Sequence, residues 1–506
     1  MKKFTYSLLL VFLSFTAMSQ KSWVAFTSDQ PKDAAVTILH SDRSGLILEV
    51  TVPGMFTENV NHEGQSFQRI TLVENHTTQE EGRPELPMLH KLIGIPGNQK
   101  IALTLLEQEF TRLNGYNIFP FQTPTTDNPG GHDHPFVMDK PFYQKNAFYP
   151  AETAILSNPG IWRDVKVAGI HITPFTYNPV TQELKVTTKL TLKIEFSGVD
   201  ASLSFNPRKE LTPKFYQMYK AAIANFDDLG YTMTYRDNQA TKYLVITNPE
   251  AIDAIQPLVN WKNEMGHKVE VRIIEPGFNT PQLFKTYISE LYEAGLEYVL
   301  MVGDAYPNGG NSGGPNVVPM YYWAPGGEDP SYSDSWYTCL DGPDDHYADI
   351  AIGRFVYDVN QLDQLELQIE KTMTHYLNAN VSDNWAENSI LIAHKQDYPG
   401  KYTQCCEEIR TYNYSIQTPI FEKAYGGEGY SNAQVVDFVN NTGVGIFNYR
   451  GHGSATELWE WTTVNPISFT ATDVNQLTNY EELFVFFDVC CDNMDIVAHF
   501  GNCLCE

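Results

Sequence analysis

Ile446-Phe447-Asn448-Tyr449-Arg450-Gly451-His452-Gly453 and Phe484-Val485-Phe486-Phe487-Asp488-Val489-Cys490-Cys491 share one design: an apolar run that leads straight into a reactive side chain. Short apolar runs of this kind read as strands buried in a parallel sheet. In open α/β sheets the carboxyl ends of the strands form the crevice where chemistry is done, so both segments deliver a reactive group to the same sheet edge. Gly451 and Gly453 let the chain turn sharply and let a substrate come close. A thiol attacks a carbonyl as thiolate, and a neighbouring imidazole can take its proton and later pass it to a leaving amine. A lone Gly-His-Gly is more often an ordinary turn, and a cysteine pair more often core filler. Both together, in this order and on one sheet, favour nucleophilic chemistry.

Working outward, strands are expected at 243–247, 269–274, 298–303, 389–393, 445–449 and 483–489, with helices at 251–262, 281–294 and 359–377. This alternation predicts a mainly parallel α/β sheet with right-handed crossovers. The first half of the chain has a different texture. Segments 45–52, 100–106 and 184–196 are alternating or β-branched and are separated by Gly, Pro and Asn turns, which predicts an all-β domain. A Gly/Asp/His/Pro stretch at 123–135 reads as a surface loop, and a helical pattern at 212–226 precedes a polar linker. The expected organisation is therefore a leader at 1–19, an all-β domain at 20–205, a helical segment and linker at 206–241, and an α/β domain at 242–506.

Lys2 and Lys3, an apolar run at 8–15 and Ala17-Met18-Ser19 make residues 1–19 a secretory signal peptide. That run is too short to span a bilayer, so an exported or cell-surface protein with no membrane span is expected. The 506 residues carry 34 basic against 61 acidic side chains, a net charge of −27. Such a charge repels nucleic acid and anionic membrane, and no nucleic-acid partner is expected.

All seven cysteines lie at Cys339 or beyond, and Cys405-Cys406 and Cys490-Cys491 are adjacent pairs. A disulfide framework would spread cysteines along an exported chain, and an odd number leaves at least one thiol to explain. Cys405 and Cys406 fall on a helix and read as packing residues. Asp341, Asp344, Asp345, His346 and Asp349 form a cluster of the sort hard cations use. Its spacing is not an EF-hand loop, and a solvated acidic turn is the competing reading.

Asn448-Tyr449-Arg450-Gly451-His452-Gly453-Ser454 resembles the histidine motif of the gingipain-type cysteine peptidases, and Phe487-Asp488-Val489-Cys490-Cys491-Asp492-Asn493 resembles their cysteine motif. Further landmarks are Asn260-Trp261-Lys262-Asn263 with Gly266, His346-Tyr347, and Ile352-Gly353-Arg354-Phe355. The resemblance covers 242–506 closely, and 82–96 with its flanking β-segments resembles the family's prodomain. It implies a caspase-like α/β domain, continuing past Glu506, that hydrolyses peptide bonds through an acyl-enzyme. Cys491 would be the nucleophile and His452 the proton carrier, with N–H groups of Gly453 and Cys491 as oxyanion donors.

The family carries an acidic residue after the strand at 389–393 to support the histidine. An ungapped match places Gln396 there, with Asp397 adjacent, and both are candidate orienters. The Asp that grips the substrate guanidinium in Arg-specific members has no clear equivalent at 398–406, so Arg or Lys specificity does not carry over. No cofactor is required for the chemistry; the resemblance makes structural calcium at Asp341, Asp344, Asp345 and Asp349 an expectation. Expected partners are protein or peptide substrates and the chain's own prodomain as inhibitor, with Arg236 in the linker as a candidate activation cut. Two other readings stand beside this one: an exported binding or adhesion protein without turnover, and a surface transpeptidase similar to the sortase of type IX secretion.

Overall fold

A computed structural model of the chain describes residues 21–73, 76–123, 135–201, 210–233, 241–305, 317–324, 331–342, 345–357, 361–377, 384–414, 421–494, 496 and 503–505. The expected signal peptide, most of the 123–135 loop, Arg236 and Asp344 lie outside these residues. Contacts divide the chain into two compact units, residues 1–126 with 130–235, and 236–506 with 127–129.

The first unit is built mainly of antiparallel strands. Its largest sheet runs Phe175–Asn178, Glu183–Ser197, Gly45–Thr51, Ala35–Asp42, with Lys100–Asn114 also paired to Glu183–Ser197. The strand expected at 100–106 is thus twice as long as its apolar stretch. Register shifts between Thr187 and Lys189 and between Thr191 and Leu192 let it follow its partner past the point where the alternation fades. Inward-facing Leu46, Leu48, Val50, Leu190, Leu192 and Ile194 fill the core between sheets. The helix Pro213–Ala222, expected in a separate segment before the linker, packs Tyr219 into a small cluster with Val165, Val167, Leu211 and Phe226. Its apolar face needs cover, and strands of this unit supply it.

The second unit alternates strands and helices, and every pairing in its two main sheets is parallel. One run of strands was the expectation; among the described residues the parallel strands form two sheets of four. The first has the order His267–Ile273, Thr241–Thr247, Leu296–Val302, Ala351–Phe355, and the second Phe421–Tyr425, Ser389–Ala393, Ile446–Arg450, Val485–Val489. Apolar periodicity identifies a strand but carries no information about its neighbour, which is why the division was invisible. Ser389–Ala393 is buried at every position, as a central parallel strand should be. Val485–Val489 lies at an edge, with Val485, Phe487 and Val489 about half exposed and Phe486 packed edge-on against Phe447.

The crossover helices start where local chemistry says they should. Pro281–Glu293 has Pro281 in its first turn, where the missing N–H costs nothing, and the Thr280 hydroxyl accepts from Leu283 N–H. Asn432–Thr442 opens with a reciprocal Ser431/Gln434 capping box and turns Val435, Val436 and Val439 into the core of the second sheet. These helices fix the strand ends that carry the reactive residues.

Candidate active site

Three strands of the second sheet end side by side. Ile392 pairs with Tyr449 and Tyr449 with Asp488, so Ser389–Ala393, Ile446–Arg450 and Val485–Val489 leave the sheet at one level. The residues that follow are His394 to Asp397, Gly451 to Gly453, and Cys490 with Cys491.

The turn bearing His452 is held from several directions. Tyr449, buried with its hydroxyl pKa well above the phenol range by desolvation, donates from Oη to the His452 carbonyl at 2.6 Å. Trp459 N–H donates to the same carbonyl at 3.0 Å, and Gly451 N–H donates to Val489 O at 3.3 Å. Neither glycine leaves room for a side chain. A Cβ on Gly451 would lie 2.4 Å from Tyr449 Oη and 2.6 Å from His394 Cβ. One on Gly453 would lie 2.4 Å from Cys490 Sγ and 2.5 Å from both Cys491 O and Asn493 Oδ1. The histidine turn therefore rests directly on the cysteine turn.

His452 is buried, and its Nε2 lies 2.5 Å from Gln396 Oε1 and 3.2 Å from Tyr402 Oη. An amide oxygen can only accept, so this contact puts a proton on Nε2 and, in the neutral ring, leaves the lone pair on Nδ1. Burial lowers the His452 pKa below the usual imidazole value, and the charges of Lys401 and Arg450 lower it further. A neutral ring with an available lone pair is a proton acceptor at neutral pH.

Of the two candidate orienters, Gln396 is the one brought to His452. Asp397 adopts a left-handed backbone conformation (φ 55°), and its carboxylate accepts from Gln396 Nε2 at 3.4 Å. That turn reverses the chain one residue too late for Asp397 to face the imidazole.

The two cysteines differ. Cys490 is half-buried and donates from Sγ to Asp488 Oδ1 at 3.0 Å; burial first, then Asp488, drives its pKa far up and keeps it a thiol. Cys505 donates to the other oxygen of the same carboxylate at 3.4 Å. Cys491 is exposed, and the nearby Tyr402 hydroxyl has its pKa raised, mainly through burial. On the Lys401–Tyr414 helix, Cys406 is buried, with Sγ 3.7 Å from Ile392 O, and has its pKa pushed up to about 12 by desolvation. Cys405 is partly exposed.

Two neighbours escaped the sequence reading. Tyr402 has no motif around it. His394 does carry a signal, because it follows the apolar run 389–393 just as His452 and Cys490 follow theirs. It is buried, its ring meets that of His452 nearly at right angles with centroids 4.8 Å apart, and Nδ1 accepts from Gln396 N–H at 3.0 Å. Burial first, then the charges of His452 and Lys395, depresses its pKa to about 4. His394 is thus a neutral prop under Gln396.

Apart from this constellation, Asp341, Asp345 and Asp349 bring carboxylate oxygens within 4.8 Å of one another. Asp349 is wholly buried and its Oδ2 accepts from Leu340 N–H at 2.7 Å; Asp345 accepts from the N–H groups of Asp341 and Tyr347. Converging hard oxygens, one on a buried carboxylate, fit a cation such as calcium.

Comparison with known proteins matches residues 236–506 to the model of peptidase family C25 and residues 27–234 to that of the C25 propeptide. Gingipain R1 of Porphyromonas gingivalis is 27% identical over 456 residues, 87% of this chain and 43% of that protein. Gingipain R2 of the same organism is 25% identical over 512 residues, 98% of this chain and 65% of that protein. The chain spans less than two thirds of the length of either relative. A crystal structure of the Arg-specific cysteine proteinase gingipain R is 26% identical and covers 54% of this chain and 59% of that chain, with a TM-score of 0.43.

Proposed function

The chain belongs to peptidase family C25, and from that premise we propose that it is a cysteine endopeptidase made as a latent precursor, with Cys491 as nucleophile and His452 as proton carrier. The observation that carries this reading is the Gln396-held, neutral His452 on a turn packed against Cys490 and Cys491.

In the first half-reaction, His452 Nδ1 takes the proton from Cys491 Sγ as the sulfur bonds to the scissile carbonyl carbon. The electron pair displaced onto the carbonyl oxygen is met by N–H groups of Gly453 and Cys491, a contribution worth about 3 to 4 kcal/mol per donor lost. His452 then protonates the leaving amine as the C–N bond breaks, which leaves an acyl-enzyme. Water attacks the thioester with His452 again accepting a proton, and the carboxylic acid and free thiol are released. Gln396 keeps the Nε2 proton in place throughout, so that Nδ1 remains the working nitrogen.

Latency follows from the unit matching the C25 propeptide: as the chain's own inhibitor, this mainly β unit would keep the peptidase inactive until the linker is cut, with Arg236 as the candidate bond. Export through a signal peptide at 1–19, protein or peptide substrates, and a structural calcium ion on Asp341, Asp345 and Asp349 complete the proposal. When bound, calcium would offset two of the three carboxylate charges and brace the turn that carries them.

An exported binding protein without turnover is the second reading, favoured by the neutral Gln396 where the family resemblance implies an acid. Thiol alkylation of the activated full-length chain separates the two. Inactivation with the label on Cys491, loss of cleavage in Cys491→Ala and its retention in Cys490→Ala are expected. Full activity in Cys491→Ala would discard this assignment of the nucleophile.

A further inference from the structure

We propose that Tyr402 is a second positioning residue for His452: its hydroxyl oxygen shares the Nε2 proton with Gln396, so the imidazole is gripped from two directions and Nδ1 stays the working nitrogen. The inference rests on the reading of Cys491 and His452 as the reacting pair and adds a residue to the groups that support it.

The donor and acceptor roles follow from the partners. Gln396 Nε2 faces the Asp397 carboxylate at 3.4 Å, and a carboxylate can only accept, so the oxygen end of the amide is the one turned to His452 at 2.5 Å. The ring nitrogen it meets must therefore carry a hydrogen. Tyr402 Oη stands 3.2 Å from that same nitrogen. A hydroxyl cannot donate to a nitrogen that is already protonated, so the phenol oxygen accepts and the N–H is shared between two oxygens. Burial above all raises the Tyr402 pKa, which keeps the group a neutral phenol.

Tyr402 is itself fixed. It is the second residue of the Lys401–Tyr414 helix and is buried in a cluster with Leu391, Ala393, Cys406 and Tyr425. Cys406, one turn further on the same helix face, rests with Sγ 3.7 Å from Ile392 O. That face is thus pinned to the strand that leads into His394 and Gln396. Gln396 is held in turn by its N–H on His394 Nδ1 at 3.0 Å. The three rings meet edge to face, with centroids 4.8 Å apart for His394 and His452 and 5.6 Å for Tyr402 with either histidine.

A single contact on Nε2 would fix a distance and leave the ring free to swing about it. Two oxygens from different elements, with rings packed alongside, leave it one orientation. Such placement matters because a reacting group displaced by about 1 Å can lose about 100-fold in rate. The shared proton also bears on charge. An imidazolium N–H is a stronger donor than a neutral one, so both oxygens favour the charged ring, against burial first and then Lys401 and Arg450, which lower its pKa.

The test measures kcat, KM and the pH profile of kcat/KM for the activated full-length chain on labelled casein. Tyr402→Phe, which keeps the ring and removes the acceptor, should lower kcat about tenfold with KM little changed. Activity needs neutral His452 and the imidazolium has lost an acceptor, so the acidic limb should move to lower pH, by about half a unit. Added to Gln396→Ala, the same change should cost at least about fiftyfold, since two acceptors for one proton cover for each other. Ring-fluorinated tyrosine at position 402 guards against misfolding, because it keeps the shape and weakens the oxygen as acceptor. It should move the limb the same way, less far. Wild-type kcat and an unmoved limb in both replacements overturn the proposal and leave the peptidase reading intact, as do strictly additive losses in the double variant. A wild-type chain that cleaves neither casein nor a mixed peptide library overturns both.

Discussion

Gln396 Oε1 and His452 Nε2 stand 2.5 Å apart, so a neutral amide fixes the tautomer of the imidazole beside the candidate nucleophile. The amide positions the ring without adding charge. A carboxylate in the same place would also stabilise the imidazolium.

Two substitutions at Gln396 separate these effects. Gln396→Ala should lower kcat about 10- to 100-fold, because the ring loses its orienting partner. Gln396→Glu should keep most of the rate and raise the His452 pKa. Activity requires neutral His452, so the acidic limb of the kcat/KM profile should move to higher pH, by about one unit. Superimposable profiles of wild type and Gln396→Glu would show that residue 396 does not govern the ionisation that limits turnover.

Gly453→Ala tests the contact between the histidine and cysteine turns. The new methyl group would fall 2.4 Å from Cys490 Sγ and 2.5 Å from Cys491 O. Relief requires the two turns to separate by a few tenths of an ångström or more, and near-attack geometry tolerates little of that. The expected outcome is a loss of at least about 100-fold in kcat with a smaller change in KM. Wild-type kinetics in Gly453→Ala would mean that the turns have slack.

Calcium at the carboxylate cluster has a readout independent of activity. The ion would compete with Lys285, whose charge already acts on Asp345 and Asp349. Binding only to the folded chain adds stability as RT ln(1 + [L]/Kd), about 2.7 kcal/mol at one hundred times Kd. Thermal unfolding should rise by several degrees on adding calcium to chelator-treated protein, less with magnesium, and not at all in Asp349→Asn. A calcium-independent midpoint in the wild type would make the cluster a solvated acidic turn.

Much of this site could be seen in the sequence because strands announce their ends. The runs before His452 and Cys490 gave both the sheet edge and the pairing of chemistries, and Ser389–Ala393 is a strand over the range expected. Other features depended on distance in space. Nothing near Tyr402 marks it as a neighbour of His452, fifty residues away, because its role arises from the packing of the Lys401–Tyr414 helix on the sheet. The choice between Gln396 and Asp397 turned on one left-handed residue, and both are polar turn formers in sequence. His394 was readable by the same rule that found His452, as a reactive side chain after a buried apolar strand.

That buried histidine makes the fold sensitive to acid in a defined window. The His394 pKa is depressed to about 4 from the ordinary 6.5, by burial first and by His452 and Lys395 after it. Between those values the unfolded chain binds a proton that the folded chain refuses, so stability rises with pH. The contribution is full above about pH 6.5, falls away as pH drops toward 4, and does not change further below that. The shift corresponds to a loss on the order of 3 kcal/mol. His452, depressed in the same direction, adds to the trend. His394→Asn keeps an acceptor for the Gln396 N–H and removes the titration. Urea unfolding of wild type and His394→Asn at about pH 7 and pH 4.5 compares the slopes, and the many carboxylates cancel in the difference because both proteins carry them. The variant should lose distinctly less stability over this interval. An equal loss in both would show that His394 takes up its proton in the folded chain as readily as in water, and that its burial does not bear on acid stability.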